Sequence, residues 1–90
     1  MEFDSEKWIN WQESENELSL RWNMINDLIK KHDLIGLTVL EIKELLGQPN
    51  FETNFKIRYY LGSSGRGINT GELSLFIEEG KIIDFKITDG

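Results

Sequence analysis

Residues 73–87 read LSLFIEEGKIIDFKI, and this stretch decides the fold. Apolar and polar side chains alternate on both sides of its middle, which is the pattern of β-strands that bury one face each. The alternation predicts strands over 73–78 and 83–87. Between them, Glu78-Glu79-Gly80-Lys81 has the composition of a tight hairpin turn, in which Gly80 takes a positive φ.

The preceding segment predicts a third strand and a long loop. Residues 55–61, FKIRYYL, alternate in the same way, and residues 62–71, GSSGRGINTG, join this strand to the next. The loop resembles a phosphate-binding loop only superficially, because Ile68 and Asn69 stand where a Walker motif has Lys and Ser or Thr. We therefore expect a hairpin loop whose tip residue, Arg66, is available to a partner's carboxylate.

The first half of the chain has a helical period. Residues 14–17, Ser-Glu-Asn-Glu, form a capping box, and the apolar spacing after it predicts a helix over 15–32. A second capping box at 38–41 and the stop signal at Gly47 predict a two-turn helix. The spacing of Trp8 and Trp11 is compatible with a further short helix near the N-terminus.

These elements predict a two-layer α+β sandwich in the order α-α-β-β-β. Two helices, or three with the N-terminal one, cover one face of a three-stranded antiparallel sheet. We expect residues 1–90 to form a single domain, with an acidic, Trp-containing segment over 1–13 and the core over 14–90. Three apolar residues of the sheet are predicted to point away from the helices: Tyr60, Phe76 and Ile82. Either Trp8 and Trp11 cover this outer face within the chain, or the face meets a partner.

The motifs Leu-Leu-Gly-Gln-Pro at 45–49 and Tyr-Tyr-Leu-Gly at 59–62 precede the strands that begin near 73 and 80. In this order, residues 34–88 resemble the SmpA/OmlA (BamE-like) family. The resemblance implies a short helix before a three-stranded sheet and a module that acts by contact with other proteins. The chain lacks the lipid-bearing Cys of the lipoprotein members and starts acidic where a signal peptide is basic, so we expect a cytoplasmic protein.

Composition limits the function further. The 90 residues include 16 acidic and 10 basic ones, which gives a formal net charge of −6 at pH 7. This charge argues against nucleic acid as a partner, because binding phosphates requires an excess of Lys and Arg. No apolar run is long enough to cross a membrane. With no cysteine, a single histidine (His32) and no Gly-x-Ser-x-Gly motif, we expect no metal, no cofactor and no enzymatic activity.

The sequence therefore predicts a small, acidic, non-enzymatic protein-binding module, such as an inhibitor or immunity protein that masks a basic partner, for example a toxin. Residues 1–20 include six acidic residues and one basic residue. The negative electrostatic field of such a segment speeds the encounter with a basic surface. The alternative is a scaffold or assembly subunit that acts through self-association, so the chain is expected to be a monomer or a weak homodimer. The candidate partner-binding residues are Trp8, Trp11, Glu13, Glu15, Tyr60, Arg66 and Phe76.

Overall fold

The structure, a computed structural model, describes residues 2–11, 20–63 and 70–89. In chain order its elements are α1 Ser5–Asn10, α2 Leu20–Lys31, α3 Val39–Leu46, β1 Phe51–Glu52, β2 Lys56–Ser63, β3 Thr70–Glu78 and β4 Lys81–Asp89. The strands form one antiparallel sheet in the order β1-β2-β3-β4. The α+β class is confirmed, but the described residues form three helices and four strands instead of the predicted α-α-β-β-β order with three strands.

The additional strand, β1, is two residues long. Phe51 pairs with Arg58 and Glu52 pairs with Ile57. The chain reverses at Thr53, whose hydroxyl accepts hydrogen bonds from the N–H groups of Phe55 and Lys56. The Thr53 N–H donates to the Lys56 carbonyl at 2.8 Å. A strand this short shows no alternation, so its pairing depends on the turn and cannot be recognised as a pattern.

The helix signals of the sequence act as predicted where the structure describes them. Thr38 caps α3, with its hydroxyl accepting from the Glu41 N–H and the Glu41 carboxylate accepting from the Thr38 N–H. Gly47 ends α3 with a φ of 79°. Asp4 caps α1. For α2, the described part runs from Leu20 to Lys31, and the predicted start at 14–19 lies outside the described residues.

The hairpin between β3 and β4 is confirmed, and its two central residues, Glu79 and Gly80, have φ values of 53° and 76°. Two positive φ values in succession are the mark of a type I′ turn. The strands extend further than the alternation indicated, because Gly62 of the predicted loop pairs with Gly71. Residues 64–69, including Arg66, lie outside the described residues.

The helices pack on one face of the sheet, and the core lies between the two layers. Ile82, predicted to point outward, is only 1% exposed and belongs to this core. The reason is a shift of register: Phe76 pairs with Asp84 but Ile77 pairs with Ile82, so Ile83 is an extra residue. Such a β-bulge reverses the alternation, and Ile83 is the residue left half exposed.

Candidate functional site

The outer face of the sheet, opposite the helices, collects several of the predicted partner-binding residues. The strand register places on it Phe51, Lys56, Arg58, Tyr60, Glu72, Ser74, Phe76, Asp84, Lys86 and Thr88. The outward orientation predicted for Tyr60 and Phe76 is thus correct. Trp11 reaches the same side of the sheet, with its ring centroid 5.9 Å from that of Tyr60.

Two aromatic rings of this outer face, Phe51 and Phe76, each have a cationic side chain close to the ring. The Lys56 Nζ lies 5.5 Å from the centroid of Phe76, and the Arg58 guanidinium carbon lies 4.1 Å from that of Phe51. Arg58 also pairs with Glu72 at 3.3 Å. The face is therefore a layer of cation–π contacts and mixed charges, and it does not concentrate the negative charge of the chain.

Trp8 occupies a different environment from the one predicted. Its side chain is fully buried on the helical side of the sheet, with Phe3 and Tyr59 as aromatic neighbours at 6.0 and 6.4 Å. The position follows from the docking of α1 on α3, where the Ser5 hydroxyl donates to the Leu45 carbonyl. Trp8 thus neither covers the outer face nor lies on an accessible surface.

Arg21 is a buried cation that was not among the predicted partner-binding residues. Its side chain lies between Trp8 and Trp11, with ring centroids 4.9 and 5.0 Å away. It donates from Nη2 to the Trp8 carbonyl at 2.9 Å and from Nη1 to the Tyr60 carbonyl at 2.8 Å. Burial lowers the pKa of Arg21 to about 10. A buried arginine that pairs with a carboxylate can be suspected from an acidic residue at a suitable spacing. The acceptors of Arg21 are backbone carbonyls, so the sequence contains no such signal.

The helical layer carries an acidic groove where α1, the end of α2 and α3 meet. Its volume is about 320 Å³, and it is lined by Ser5, His32, Leu37, Glu41, Glu44 and Leu45. Glu41 is held in place because its Oε1 accepts from the N–H and the hydroxyl of Thr38, at 3.0 and 3.1 Å. The backbone hydrogen bond from Thr38 lowers the pKa of Glu41, so this carboxylate is charged at neutral pH.

Next to the groove, Leu40 is 67% exposed, while Ile42 and Leu46 of the same helix are buried. We call Leu40, Glu41 and Glu44, together with the groove-lining residues Leu37 and Leu45, the α3 surface. This surface was not among the predicted partner-binding residues. The signal was present, because Leu40 is the apolar residue that does not fit the buried stripe of α3.

Glu13, Glu15 and Arg66 of the predicted set lie outside the described residues. In the part of the chain that the structure describes, no group of three or more His, Asp or Glu side chains could hold a metal ion. Nor does any described helix have both the length and the apolar character needed to cross a membrane.

Comparison of the chain with protein-family models, with curated proteins and with solved structures finds no match. The resemblance to the BamE-like family therefore stays a prediction, and the surfaces of the structure are what bears on function.

Proposed function

We propose that this protein is a small, non-enzymatic binding module that masks the basic surface of another protein, as an inhibitor or immunity protein masks a toxin. The observation that carries the proposal is the α3 surface, where an apolar side chain, Leu40, stands 67% exposed beside Glu41 and Glu44. Protein interfaces commonly place apolar side chains at the centre and polar or charged ones at the rim.

The groove suits a long basic side chain of the partner. The aliphatic stem of a Lys or Arg would lie on Leu37 and Leu45, and its charged head would meet the carboxylates of Glu41 and Glu44. Glu41 is already fixed by Thr38, so binding orders few new groups there. Because the head group stays near solvent, charge supplies specificity and association rate, while Leu40 and the groove residues Leu37 and Leu45 supply the apolar contact.

The chain as a whole supports the same partner chemistry. Its net charge of −6 attracts a basic surface over the distance of a Debye length. A toxin that cleaves nucleic acid needs a basic active site, so an acidic blocker is complementary to it. We place this function in the cytoplasm, as the sequence led us to expect, and a role limited to contact is also what the BamE-like resemblance implies.

The test begins with the partner. Cross-linking in cells that express the chain, followed by mass spectrometry, identifies the bound protein, and association is then measured with the purified pair at low and physiological salt. We expect the association rate constant to fall about tenfold or more over this range. The variant Glu41→Gln/Glu44→Gln should weaken binding by about tenfold or more.

The matched control is Glu78→Gln/Glu79→Gln, which removes the same charge at the exposed β3–β4 hairpin. It should change the association rate slightly and leave the dissociation rate unchanged. An association rate that is independent of salt would contradict the proposal, and so would an equal loss of affinity in the two double variants.

Self-association is the alternative that the sequence left open. One observation favours it: among the described residues, no segment pairs with the last part of the outer edge of β4. Self-association along that edge would be independent of partner binding, since a dimer formed there does not use Leu40 or the groove.

A further inference from the structure

The two edges of the sheet differ in how their backbone groups are satisfied. Beyond the short β1, the edge of β2 is covered by side chains. The Asn50 Oδ1 accepts from the Tyr60 N–H at 2.8 Å, and Arg21 donates to the Tyr60 carbonyl. The Trp22 Nε1 donates to the Gly62 carbonyl at 2.8 Å. This edge is therefore closed to a further strand.

Among the described residues, the segment of Gly36 and Leu37 covers the start of the β4 edge. The Ile82 N–H donates to the Leu37 carbonyl at 2.8 Å, and the Ile82 carbonyl accepts from the Gly36 N–H at 2.7 Å. Further along, the Phe85 N–H donates to the carboxylate of its neighbour Asp84 at 2.8 Å, so the backbone of Phe85 faces away from β3.

Because the hydrogen-bonding direction alternates along a strand, the backbone N–H and C=O groups of Ile87 and Asp89 also face away from β3. Among the described residues outside the sheet, none accepts from or donates to the backbone of Ile87. In the part of the chain that the structure describes, the edge is therefore open to a further strand from Phe85 to Asp89, with Asp84 as the one competitor at the Phe85 N–H.

Apolar side chains accompany these open backbone groups. Phe85 and Ile87 point toward the core side of the sheet and pack against its cluster, yet they are only partly buried, since β4 lies at the rim of the core. Ile83 is 49% exposed. A strand added at this edge would pair the backbone and cover Phe85 and Ile87 at the same time, which is the basis of recognition by strand addition.

We propose that this edge pairs with the same edge of a second copy of the chain, antiparallel, with Ile87 facing Ile87 across a twofold axis. The result is a continuous eight-stranded sheet with all helices on one side. An isologous contact of this kind uses one self-complementary surface and closes after two subunits.

The register follows from the neighbours of the edge. Centring the pair on Phe85 would place Thr88 of the second copy against Ile82, where the segment of Gly36 and Leu37 already lies. Centring it on Lys86 would oppose two like charges.

The register centred on Ile87 avoids both conflicts. It places Lys86 opposite Thr88 and Phe85 opposite Asp89. Every open backbone group between Phe85 and Asp89 then finds a partner, and Ile87 covers its own counterpart.

The proposed dimer is reversible because Asp84 competes with it. The Asp84 carboxylate occupies the Phe85 N–H in the single chain, and it has to turn away before the second strand can bind there. A charged residue that caps an edge in this way weakens edge-to-edge pairing without abolishing it.

Cysteine cross-linking tests the register directly, because the chain contains no cysteine. Residues in a hydrogen-bonded antiparallel pair have Cα atoms about 5.5 Å apart, within the range of a disulfide. Ile87→Cys should therefore form an intermolecular disulfide under mild oxidation.

Lys86→Cys is the matched control, since it faces Thr88 and lies more than about 7 Å from its counterpart. A disulfide formed only by Lys86→Cys, or by neither variant, would overturn the register.

Equilibrium sedimentation over a wide range of protein concentration tests the dimer itself. Ile87→Pro removes an N–H that faces outward and leaves the bonds to β3 in place, so the fold should persist in circular dichroism while dimer affinity falls at least about tenfold. Ile87→Val keeps the N–H and should keep the dimer.

Asp84→Ala removes the competing acceptor and should tighten the dimer. A wild-type chain that stays monomeric at every concentration overturns the proposal. So does a dimer that Ile87→Pro leaves intact or that Asp84→Ala weakens.

Discussion

At the scale of single residues, Arg21 shows how a buried charge is accommodated through backbone carbonyls and aromatic rings. It is 7% exposed, and it connects the end of α1 at Trp8 with the edge of β2 at Tyr60. The planar guanidinium offers several donors in fixed directions, which an ammonium group does not. Arg21 therefore links α1, α2 and β2 and satisfies the backbone carbonyls of Trp8 and Tyr60 where these elements meet.

Replacing Arg21 with Lys should lower the free energy of unfolding by about 1–3 kcal/mol. The ammonium group cannot reach the carbonyls of Trp8 and Tyr60 together, so one buried acceptor is left unsatisfied. Denaturation in urea measures the change. Lys30→Gln, an exposed site on the same helix, should change stability by less than about 0.5 kcal/mol. Equal effects at the two sites would show that Arg21 holds nothing in place.

The hairpin residue Glu79 permits a stabilising change. It is the described non-glycine residue with a positive φ, 53°, at the first central position of the type I′ turn. Asn adopts this conformation more readily than Glu, so Glu79→Asn should raise the free energy of unfolding by about 0.5–1 kcal/mol. Thermal melting detects the gain. Glu78→Asn, one residue earlier in β3, should give no gain, and a gain there instead would contradict the turn assignment.

At the scale of elements, the contact between α2 and the sheet includes a close approach of Trp22 to Gly71. A Cβ built on Gly71 would lie 1.8 Å from the Trp22 Cζ2, so the indole ring occupies the space of the missing side chain. The same ring donates from its Nε1 to the Gly62 carbonyl at 2.8 Å. Gly62 and Gly71, which pair at the ends of β2 and β3, thus form the surface against which Trp22 packs.

Gly71→Ala should therefore displace Trp22 and lower the free energy of unfolding by about 1–3 kcal/mol. A double-mutant cycle with Trp22→Phe tests the cause. The smaller ring vacates the position of the Cζ2, so Gly71→Ala should be less destabilising in that background. If the two changes add without interaction, the close approach between Gly71 and Trp22 does not limit the packing.

Sequence patterns predicted the elements whose signals are local. The α3 helix has its own cap and stop residues, and the β3–β4 hairpin has its own turn. The two-residue β1 was missed because only its pairing with β2 defines it. Ile82 was assigned to the wrong face because the bulge at Ile83 interrupts the alternation, and alternation cannot show where a bulge falls.

The candidate surfaces could be predicted only in part, for a similar reason. Tyr60 and Phe76 point outward because strand alternation determines their face. Trp8 was misplaced because its environment depends on where α1 docks, and that is set by a tertiary contact between Ser5 and Leu45. Leu40 was overlooked although its exposure follows from helix periodicity.

At the scale of the whole molecule, the N-terminal segment is joined to the rest by an ionisable contact. The Phe3 N–H donates to the Asp27 carboxylate at 2.6 Å, and Lys31 pairs with the same carboxylate at 3.3 Å. The hydrogen bond from Phe3, with a smaller effect of Lys31, lowers the pKa of Asp27 below its ordinary value of 3.8. Folding therefore favours the ionised form of this residue.

The sign of the pH effect follows. A carboxyl group with a lowered pKa in the folded state stabilises the fold above its unfolded pKa, and this stabilisation is lost as the pH falls through the folded pKa. Asp27→Asn should therefore be less stable than wild type at neutral pH, and the difference in free energy of unfolding should shrink below about pH 4. Urea denaturation from pH 2 to 7 measures it, and a difference that stays constant with pH would contradict the role of Asp27.

The burial of Trp8 makes the N-terminal helix part of the same core as the sheet. The indole lies beside Tyr59 and Phe3, and its Nε1 has no hydrogen-bond partner among the described residues. Trp8→Ala should cost about 3–5 kcal/mol, a large share of the roughly 5–13 kcal/mol available to a domain of this size. Trp8→Phe keeps most of the volume and removes an unsatisfied N–H, so it should cost about 1–2 kcal/mol.

Chemical denaturation of both Trp8 variants, followed by far-ultraviolet circular dichroism, measures their effect on the whole chain. If α1 and the sheet form one cooperative unit, each variant shifts a single transition to lower denaturant concentration, and Trp8→Ala shifts it further. A separate early transition for the N-terminal segment, with the main transition unmoved, would show that α1 folds onto a core that is stable without it.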